Sequence, residues 1–522
     1  MVEIFGSTIK RDSGKIKSKE NRFDFMHKSA SIIVILMILL PAFIFHACND
    51  GIDDYSNNPN DRLVFSTDTV AFDTIITTIN TPFQLFKVYN PHSKALLISS
   101  VYLENGEKSG FKINVDGRAG SSFEDIAIQG KDSLYVLVDA KPAKNASNQP
   151  EYITDQVVFV TNGVRQQVLL EASTQDAVIW RGLTVTSNSL LSNLKPFVIY
   201  DSLVVKEGIT LEIKEGTTFY MHGNAELIVK GTLKAKGTLE KPVVIRGDRF
   251  DQLVDVPYDL VPGQWGGIRF ESSSYNNEIE YAYIRNGKYG MDFQLSDPFQ
   301  SKMKMKNVVL TNFKGVLINA MNCSIEAENC EFSNAKGALL NLIGGQYSFT
   351  HCTIANYYFS SRESGWGNSN HETVNLLGRE INAETEPYPI WKADFKNCII
   401  WGSEITFDRD TTIFIGHLFQ NCVLPNDSAK NDPENDPTAT VINCLIKGRE
   451  LADGRKFEDP KFKRSAPDDF VYDFSLDSIS PARNVADPKI SRKIPYDIKG
   501  VDRFLDAGPD MGAYEWTKLN IP

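Results

Sequence analysis

The sequence predicts an all-β fold, with a parallel β-helix preceded by a β-sandwich. Three observations carry this. A short tetrad recurs at a nearly fixed period, strands of period two flank it, and an upstream region alternates apolar and polar residues in about seven short runs. The tetrads are Asn307-Val308-Val309-Leu310, Asn329-Cys330-Glu331-Phe332, His351-Cys352-Thr353-Ile354, Asn397-Cys398-Ile399-Ile400, Asn421-Cys422-Val423-Leu424 and Asn443-Cys444-Leu445-Ile446. Their steps are 22, 22, 46, 24 and 22 residues. Units this short bury an apolar face only by stacking on one another.

At the N-terminus, Ala30–Phe45 is apolar for 16 residues, follows Lys28, and ends at Phe45-His46-Ala47-Cys48. A membrane-spanning helix needs roughly 20 residues, so residues 1–47 are expected to be a signal peptide. Met26 offers a second start, with 1–25 a charged upstream extension. Residues 48–62 are polar and rich in Asn and Asp, and are expected to form a tether without a core.

Residues 63–174 hold the alternating runs, including Thr69–Phe72, Gln84–Val88, Ala95–Tyr102, Phe111–Val115, Ser133–Val138, Gln156–Val160 and Gln166–Leu170. That spacing predicts a sandwich, expected to act as a spacer. No cysteine lies within it.

Residues 178–450 are assigned to the β-helix, at 22–24 residues and three strands per coil. A shift of 22 places Met303 beside Ile325 and Tyr347, and Met305 beside Ala327 and Phe349, all inward. Lys302, Lys304 and Lys306 then face outward, with Lys304 beside Glu326 and Lys306 beside Glu328. Upstream, Leu203/Val205 recurs as Leu227/Val229, Leu211/Ile213 as Leu233/Ala235, and Phe219 as Val243, while Gly208, Gly216, Gly231 and Gly237 mark turns. The tetrad Asn reverses the alternation, so it predicts a corner in the left-handed conformation, which Asn tolerates. Asn307, Asn329, Asn397, Asn421 and Asn443 should stack as a ladder, with Tyr281 and His351 as substitutes. A lone His at a corner is expected to be structural. Residues 451–522 are assigned to a last coil and C-terminal cap.

Net charge is −11, which disfavours nucleic acid as a partner. Of seven cysteines, Cys330, Cys352, Cys398, Cys422 and Cys444 share one inward position. No C-x-x-C pair occurs, so a ladder of buried thiols is expected rather than a disulfide or metal site. Cys323 is expected to be buried too. No metal and no cofactor are predicted.

Several strings resemble known families. Ala47-Cys48 resembles a lipoprotein cleavage box, which implies lipidation of Cys48, and the acidic residues behind it resemble a surface-export signal of Gram-negative lipoproteins. Phe86–Asn90, Phe159–Gly163 and Val168–Glu171 resemble immunoglobulin-like domains of ciliary and centrosomal proteins. Tyr200–Val205, Gly231–Ala235, Pro262–Ile268, Phe349–Tyr358, Ser480–Arg483 and Asp510–Glu515 resemble an uncharacterised family of bacterial surface lipoproteins. That resemblance implies a right-handed parallel β-helix behind an immunoglobulin-like domain. It implies no catalytic residues.

Chemistry is expected where insertions break the rhythm. The step of 46 leaves room at Tyr357–Trp391, where Arg362, Trp366, His371, Tyr388 and Trp391 are candidate ligand-binding residues, because aromatic planes beside charges suit sugar rings. The loop Asp248–Pro262 carries four aspartates without an ion-loop spacing, and Pro425–Pro437 is acidic and rich in Pro and Asn. Asp-Ser/Thr-aliphatic triplets such as Asp73-Thr74-Ile75 and Asp132-Ser133-Leu134 resemble an O-glycosylation signal. The expectation is an outer-membrane protein, lipid-anchored and facing the cell exterior, that binds a glycan or a surface protein without catalysis. The alternatives are a polysaccharide lyase or glycoside hydrolase, and a structural subunit of a membrane assembly.

Overall fold

Short alternating strands need a second apolar layer, and the upstream domain supplies it as two five-stranded sheets. The computed structural model describes residues 54–250, 252–253, 256–358, 373–379, 386–403, 405–407, 416–425, 439–465 and 471–518. One sandwich sheet runs through Gln84–Tyr89, Ser133–Ala140 and Phe111–Val115; the other through Thr69–Ile76, Val164–Gln175, Glu151–Thr161 and Leu96–Leu103. Phe86 and Phe159 meet edge to face at 6.3 Å in its core. The chain enters at one end, where Ser56 donates its N–H to Ala95 (2.9 Å) and Asn162 donates to the Asn58 carbonyl (3.0 Å). It leaves at the other, after the 12-residue strand Val164–Gln175. That strand is roughly 36 Å long at about 3.3 Å per residue. At the exit, buried Asp176 accepts from Thr77 Oγ1 (2.7 Å) and Lys195 Nζ (3.1 Å), which pins the sandwich to the first coil.

Beyond Val178, one 26-stranded sheet winds as a three-faced parallel β-helix. The first face includes Thr210–Ile213, Thr232–Lys236, Ser324–Glu328 and Gly345–Thr350. The second includes Thr218–Met221, Val243–Gly247, Glu331–Ala335, Thr353–Ala355 and Ile399–Trp401, and the third Glu226–Val229, Gly267–Phe270, Ile318–Met321 and Leu340–Ile343. Met303 pairs with Ile325, which pairs with Tyr347, and Lys304 pairs with Glu326 in the expected register, their charges 3.4 Å apart.

The corner between first and second faces is left-handed in every described coil from Tyr281 onward. φ is 45° at Tyr281, 54° at Asn307, 57° at Asn329, 51° at His351, 53° at Asn397 and 51° at Asn421 and Asn443. Inside the corner lie Cys330, Cys352, Cys398 and Cys422, all buried, with Cys444 half-buried, none of them in a disulfide. Their thiols bond to backbone carbonyls, as Cys422 does to Phe395 (3.3 Å). Phe349, Phe395 and Phe419 stack within the coil at 5.0 and 5.2 Å. Gly231 is required for a different reason: a Cβ there would lie 2.1 Å from the Ile209 carbonyl oxygen.

Two expectations are corrected. Phe219 pairs with Ile245, not Val243, because the coil between them is two residues longer. Lys302 is not outward: it precedes the strand, is fully buried, and donates to the Glu271 carbonyl (2.6 Å) beneath the Tyr275 ring. Burial lowers its pKa to about 8. The step of 46 is one coil with an insertion, since Thr353 pairs directly with Ile399.

The C-terminal segment does not stop at the last coil. The described residues 447–465 and 471–518 turn back along the outside of the corner and second face. Val485 meets Asn421, Asp487 and Ser491 meet Asn397, Gly512 meets His351, Arg503 meets Asn329, and Gly500 reaches Leu239. Phe457, Phe474, Leu476, Ile498 and Met511 thereby form a satellite core on Val309, Ala355, Ile399 and Trp401. The ladder is thus shared. Asn329 donates to Asn307 (2.5 Å) and Asn397 lies 3.0 Å from the His351 ring, but the other bonds go to this strap.

Asn397 is fully buried; it accepts from the Asp487 N–H (2.8 Å) and donates to the Asp487 carbonyl (3.2 Å) and Ser491 Oγ (3.1 Å). Asn397→Ala should destabilise the helix domain by roughly 2–4 kcal/mol, from left-handed strain and stranded polar groups together. Asn397→Gly removes only the strain and should recover about 1 kcal/mol of that loss in urea unfolding followed by tryptophan fluorescence.

Candidate functional site

The second face is where outward side chains gather against other parts of the chain. Strand alternation sends Tyr283 and Arg285 outward, then Val309 and Thr311, then Glu331 and Ser333. The strap covers this face over the later coils and ends near Tyr283. The loop around Asp259 approaches from the other side. Between loop and strap lies a cleft of about 310 Å³.

The cleft holds both signs of charge. Asp259 bridges two arginines, with Arg246 and Arg285 each 3.0 Å from one of its oxygens. That carboxylate offsets the repulsion of the two guanidiniums, while burial holds Arg246 below its ordinary pKa. On the floor, Glu331 is buried. One of its oxygens bonds Ser333 Oγ (2.6 Å) and the other accepts from the Tyr514 hydroxyl. Burial pushes its carboxyl above the usual range, and nearby Asp473 adds to this, while its two hydrogen bonds and Lys499 pull the other way. Lys499 donates to Ser475 Oγ (3.1 Å), sits 3.9 Å from Asp473, and lies 5.2 Å over the Tyr514 ring. Asn286, Asn312 and Asn334 form a second left-handed column along one wall, and Asn312 donates to Asn286 (2.8 Å). Tyr283, Tyr472 and Phe474 complete the lining. Amides, carboxyls, cations and ring faces therefore converge on one concavity large enough for a sugar ring.

Sequence reasoning did not find this cleft. The available signal was Glu331, which is charged where the other tetrads carry Val309, Thr353, Ile399, Val423 and Leu445. Its partners Lys499 and Tyr514 lie more than 160 residues away, with no period to link them.

The sequence candidates fall elsewhere. Arg362, Trp366 and His371 lie outside the described residues, as does the 426–438 loop. Tyr388 is half-buried, with its N–H on the Gly378 carbonyl (2.7 Å) and its Cβ against Gly344. Trp391 is 41% exposed beside Phe299, itself 69% exposed, with ring centroids 5.4 Å apart. Trp391 belongs to the first-face strand Ile390–Lys396 and Phe299 to the turn before Met303–Phe313, apart from the cleft. His351 is fully buried in the corner ladder, bonded to Gly512 and Ser491, and its pKa is lowered by burial. Of the Asp248–Pro262 aspartates, Asp248 binds His222 and Asp259 binds the two arginines; Asp251 and Asp255 lie outside the described residues. Among the described residues, no three His, Cys, Asp or Glu side chains are placed to hold a metal.

No family model matches the chain, and no curated protein matches it. Among solved structures, PapD-like domain 7 of human CEP192 is similar at 7% identity and a TM-score of 0.16, covering 25% of this chain and 96% of that one. A family 123 glycoside hydrolase from Clostridium perfringens is similar at 10% identity and a TM-score of 0.16, covering 22% of this chain and 26% of that one. Neither likeness carries an argument about activity.

The strap should respond to pH. Asp510, which accepts from the Asn484 and Trp516 N–H groups (both 2.7 Å), is pushed by burial from 3.8 to about 6. A carboxyl whose folded pKa is raised holds its proton more tightly when folded. Stability therefore falls as pH rises from about 4 through about 6, and Glu331 acts in the same direction. Asp510→Asn should lower the melting temperature throughout yet flatten this slope in scanning calorimetry; an unchanged slope would assign it to other groups.

Proposed function

We propose that this chain is a lipid-anchored cell-surface protein, of the surface-lipoprotein family it resembles, that binds a saccharide in the cleft between loop and strap. The observation that supports this most is the convergence of Tyr283, Arg285, Glu331 and Lys499 with the asparagine column on one concavity. Sugar hydroxyls need paired donors and acceptors, and C–H faces need aromatic planes. The mixed charge suits a saccharide carrying a carboxylate, with Arg285 and Lys499 as its partners.

The architecture fits display. The sandwich receives the tether at one end and the first coil at the other, so it works as a strut roughly 36 Å long at about 3.3 Å per residue. Cys48 is the proposed lipidation point, in the outer membrane with the helix facing the exterior. Cys48→Ala should move the protein from the membrane to the soluble fraction, and protease added to intact cells should cleave the unmodified protein. Retention of Cys48→Ala in the membrane would sink the anchor.

Binding without turnover is favoured because both Glu331 oxygens are already engaged by Ser333 and Tyr514. Glycoside hydrolysis is the second reading, favoured by the raised carboxyl of Glu331 with Asp473 nearby. Isothermal titration with uronic-acid and neutral oligosaccharides decides. A uronate oligomer should bind without release of reducing ends, and Tyr283→Ala should weaken it about tenfold. Equal binding by Tyr283→Ala would remove the cleft as the site, and reducing-end release lost in Glu331→Gln would establish hydrolysis.

A further inference from the structure

A second concavity, of about 350 Å³, opens where the sandwich meets the first coils. Its walls are Phe72, Ile75 and Ile79 from the sandwich, with Val198 and Phe250 from the helix domain. Val198 points outward from its strand yet is fully buried, because the sandwich seals it. At the mouth stands one ordered column. Arg181 lies 3.7 Å over the Tyr200 ring, Tyr200 packs 4.4 Å from the His222 ring, and His222 Nδ1 is 2.6 Å from Asp248 Oδ2. Strand register builds this column, since Arg181 pairs with Tyr200 and Ile199 with Met221, the residue before His222.

The Asp248 contact fixes the imidazole. With the Nδ1 proton given to Asp248, Nε2 presents its lone pair, and it has no hydrogen-bond partner among the described residues. Asp73, Asp248 and Arg249 all line the opening, so an anionic head would meet two carboxylates against one guanidinium. Arg249 lies over the Tyr258 ring at 3.9 Å. The interior is largely apolar, Asp248 is engaged by His222 and Asp73 by the Thr74 N–H, and His222 Nε2 at the rim is a neutral acceptor held in one orientation, which suits an apolar body carrying a hydroxyl donor.

We propose that this junction is a binding site for a small, uncharged, mainly apolar molecule bearing one hydroxyl group. The hydroxyl donates to His222 Nε2, and the apolar body lies against Phe72, Ile75 and Phe250. The site is separate from the strap cleft and does not depend on saccharide binding there.

The test uses 4-fluorophenol and 4-fluoroanisole, which differ in the hydroxyl proton. Ligand-observed fluorine NMR follows each against the full-length chain in detergent at pH 8, with the detergent background subtracted. The phenol should bind about threefold or more tightly than the ether, the span of one partly exposed hydrogen bond. His222→Leu, at a half-exposed position that leaves folding intact by circular dichroism, should abolish that preference while keeping the ether's affinity. Absence of saturable binding at millimolar ligand overturns the proposal. So does equal affinity of the two probes for the unmodified protein, or a preference that persists in His222→Leu.

Discussion

The rest of the molecule depends on a corner residue held at a φ near +50°. A side chain with a Cβ pays a steric penalty there, and Asn pays least among non-glycine residues. Once the chain turns at that angle, the inward series of one face ends two residues before it, as at Met305 and Ala327, and the inward series of the next begins one residue after it, as at Val308 and Cys330. The small thiol at the following position fits the crowded inside of the turn. The corner thus fixes where one face gives way to the next, and the strand register between successive corners sets which side chains become neighbours on each face.

The corner also leaves amide groups at the outer edge. A ladder bonded only to itself would satisfy part of them. Here the strap supplies the rest: Asn397 exchanges hydrogen bonds with Asp487 and Ser491, and Arg503 donates to Asn329. Arg503 is fully buried against Glu515, so the strap brings a charge and its partner together into the covered corner. Breaking one member would strand the other in a dry environment, which ties the strap to the helix more firmly than its apolar contacts alone.

Three bodies then share the outer side of the second face: the sandwich, the Asp248–Pro262 loop and the strap. Each seam between them leaves a concavity. The sandwich–loop seam is mainly apolar with one oriented imidazole, and the loop–strap seam is polar with a buried carboxyl. The difference follows from the outward residues the strands supply, Val198 and His222 at one seam, Arg285 and Glu331 at the other. Burial pushes the Glu331 carboxyl up and holds Arg246 down, as it does Lys302, shifting each towards its neutral form.

The β-helix was legible because every coil meets the same physical demand. The Asn-Cys tetrads, the inward pairs Met303/Ile325/Tyr347 and the Lys304/Glu326 register could be read by offset alone. Phe219 and Lys302 were misplaced where one coil is longer and where a residue sits just before its strand. The aromatic candidates Tyr388 and Trp391 proved to be a packed side chain and an exposed first-face ring, because composition does not say which way an insertion folds. The segment 451–522 was legible only as a last coil and cap; the path of the strap was not, since its partners lie at unrelated separations: Gly512 with His351, Tyr514 with Glu331, Arg503 with Asn329. By itself the sequence determined the repeating corner and the inward stack, because both arise from interactions between neighbouring coils. Only the tertiary structure decided where the second face stays open, because that depends on which distant segments cover it.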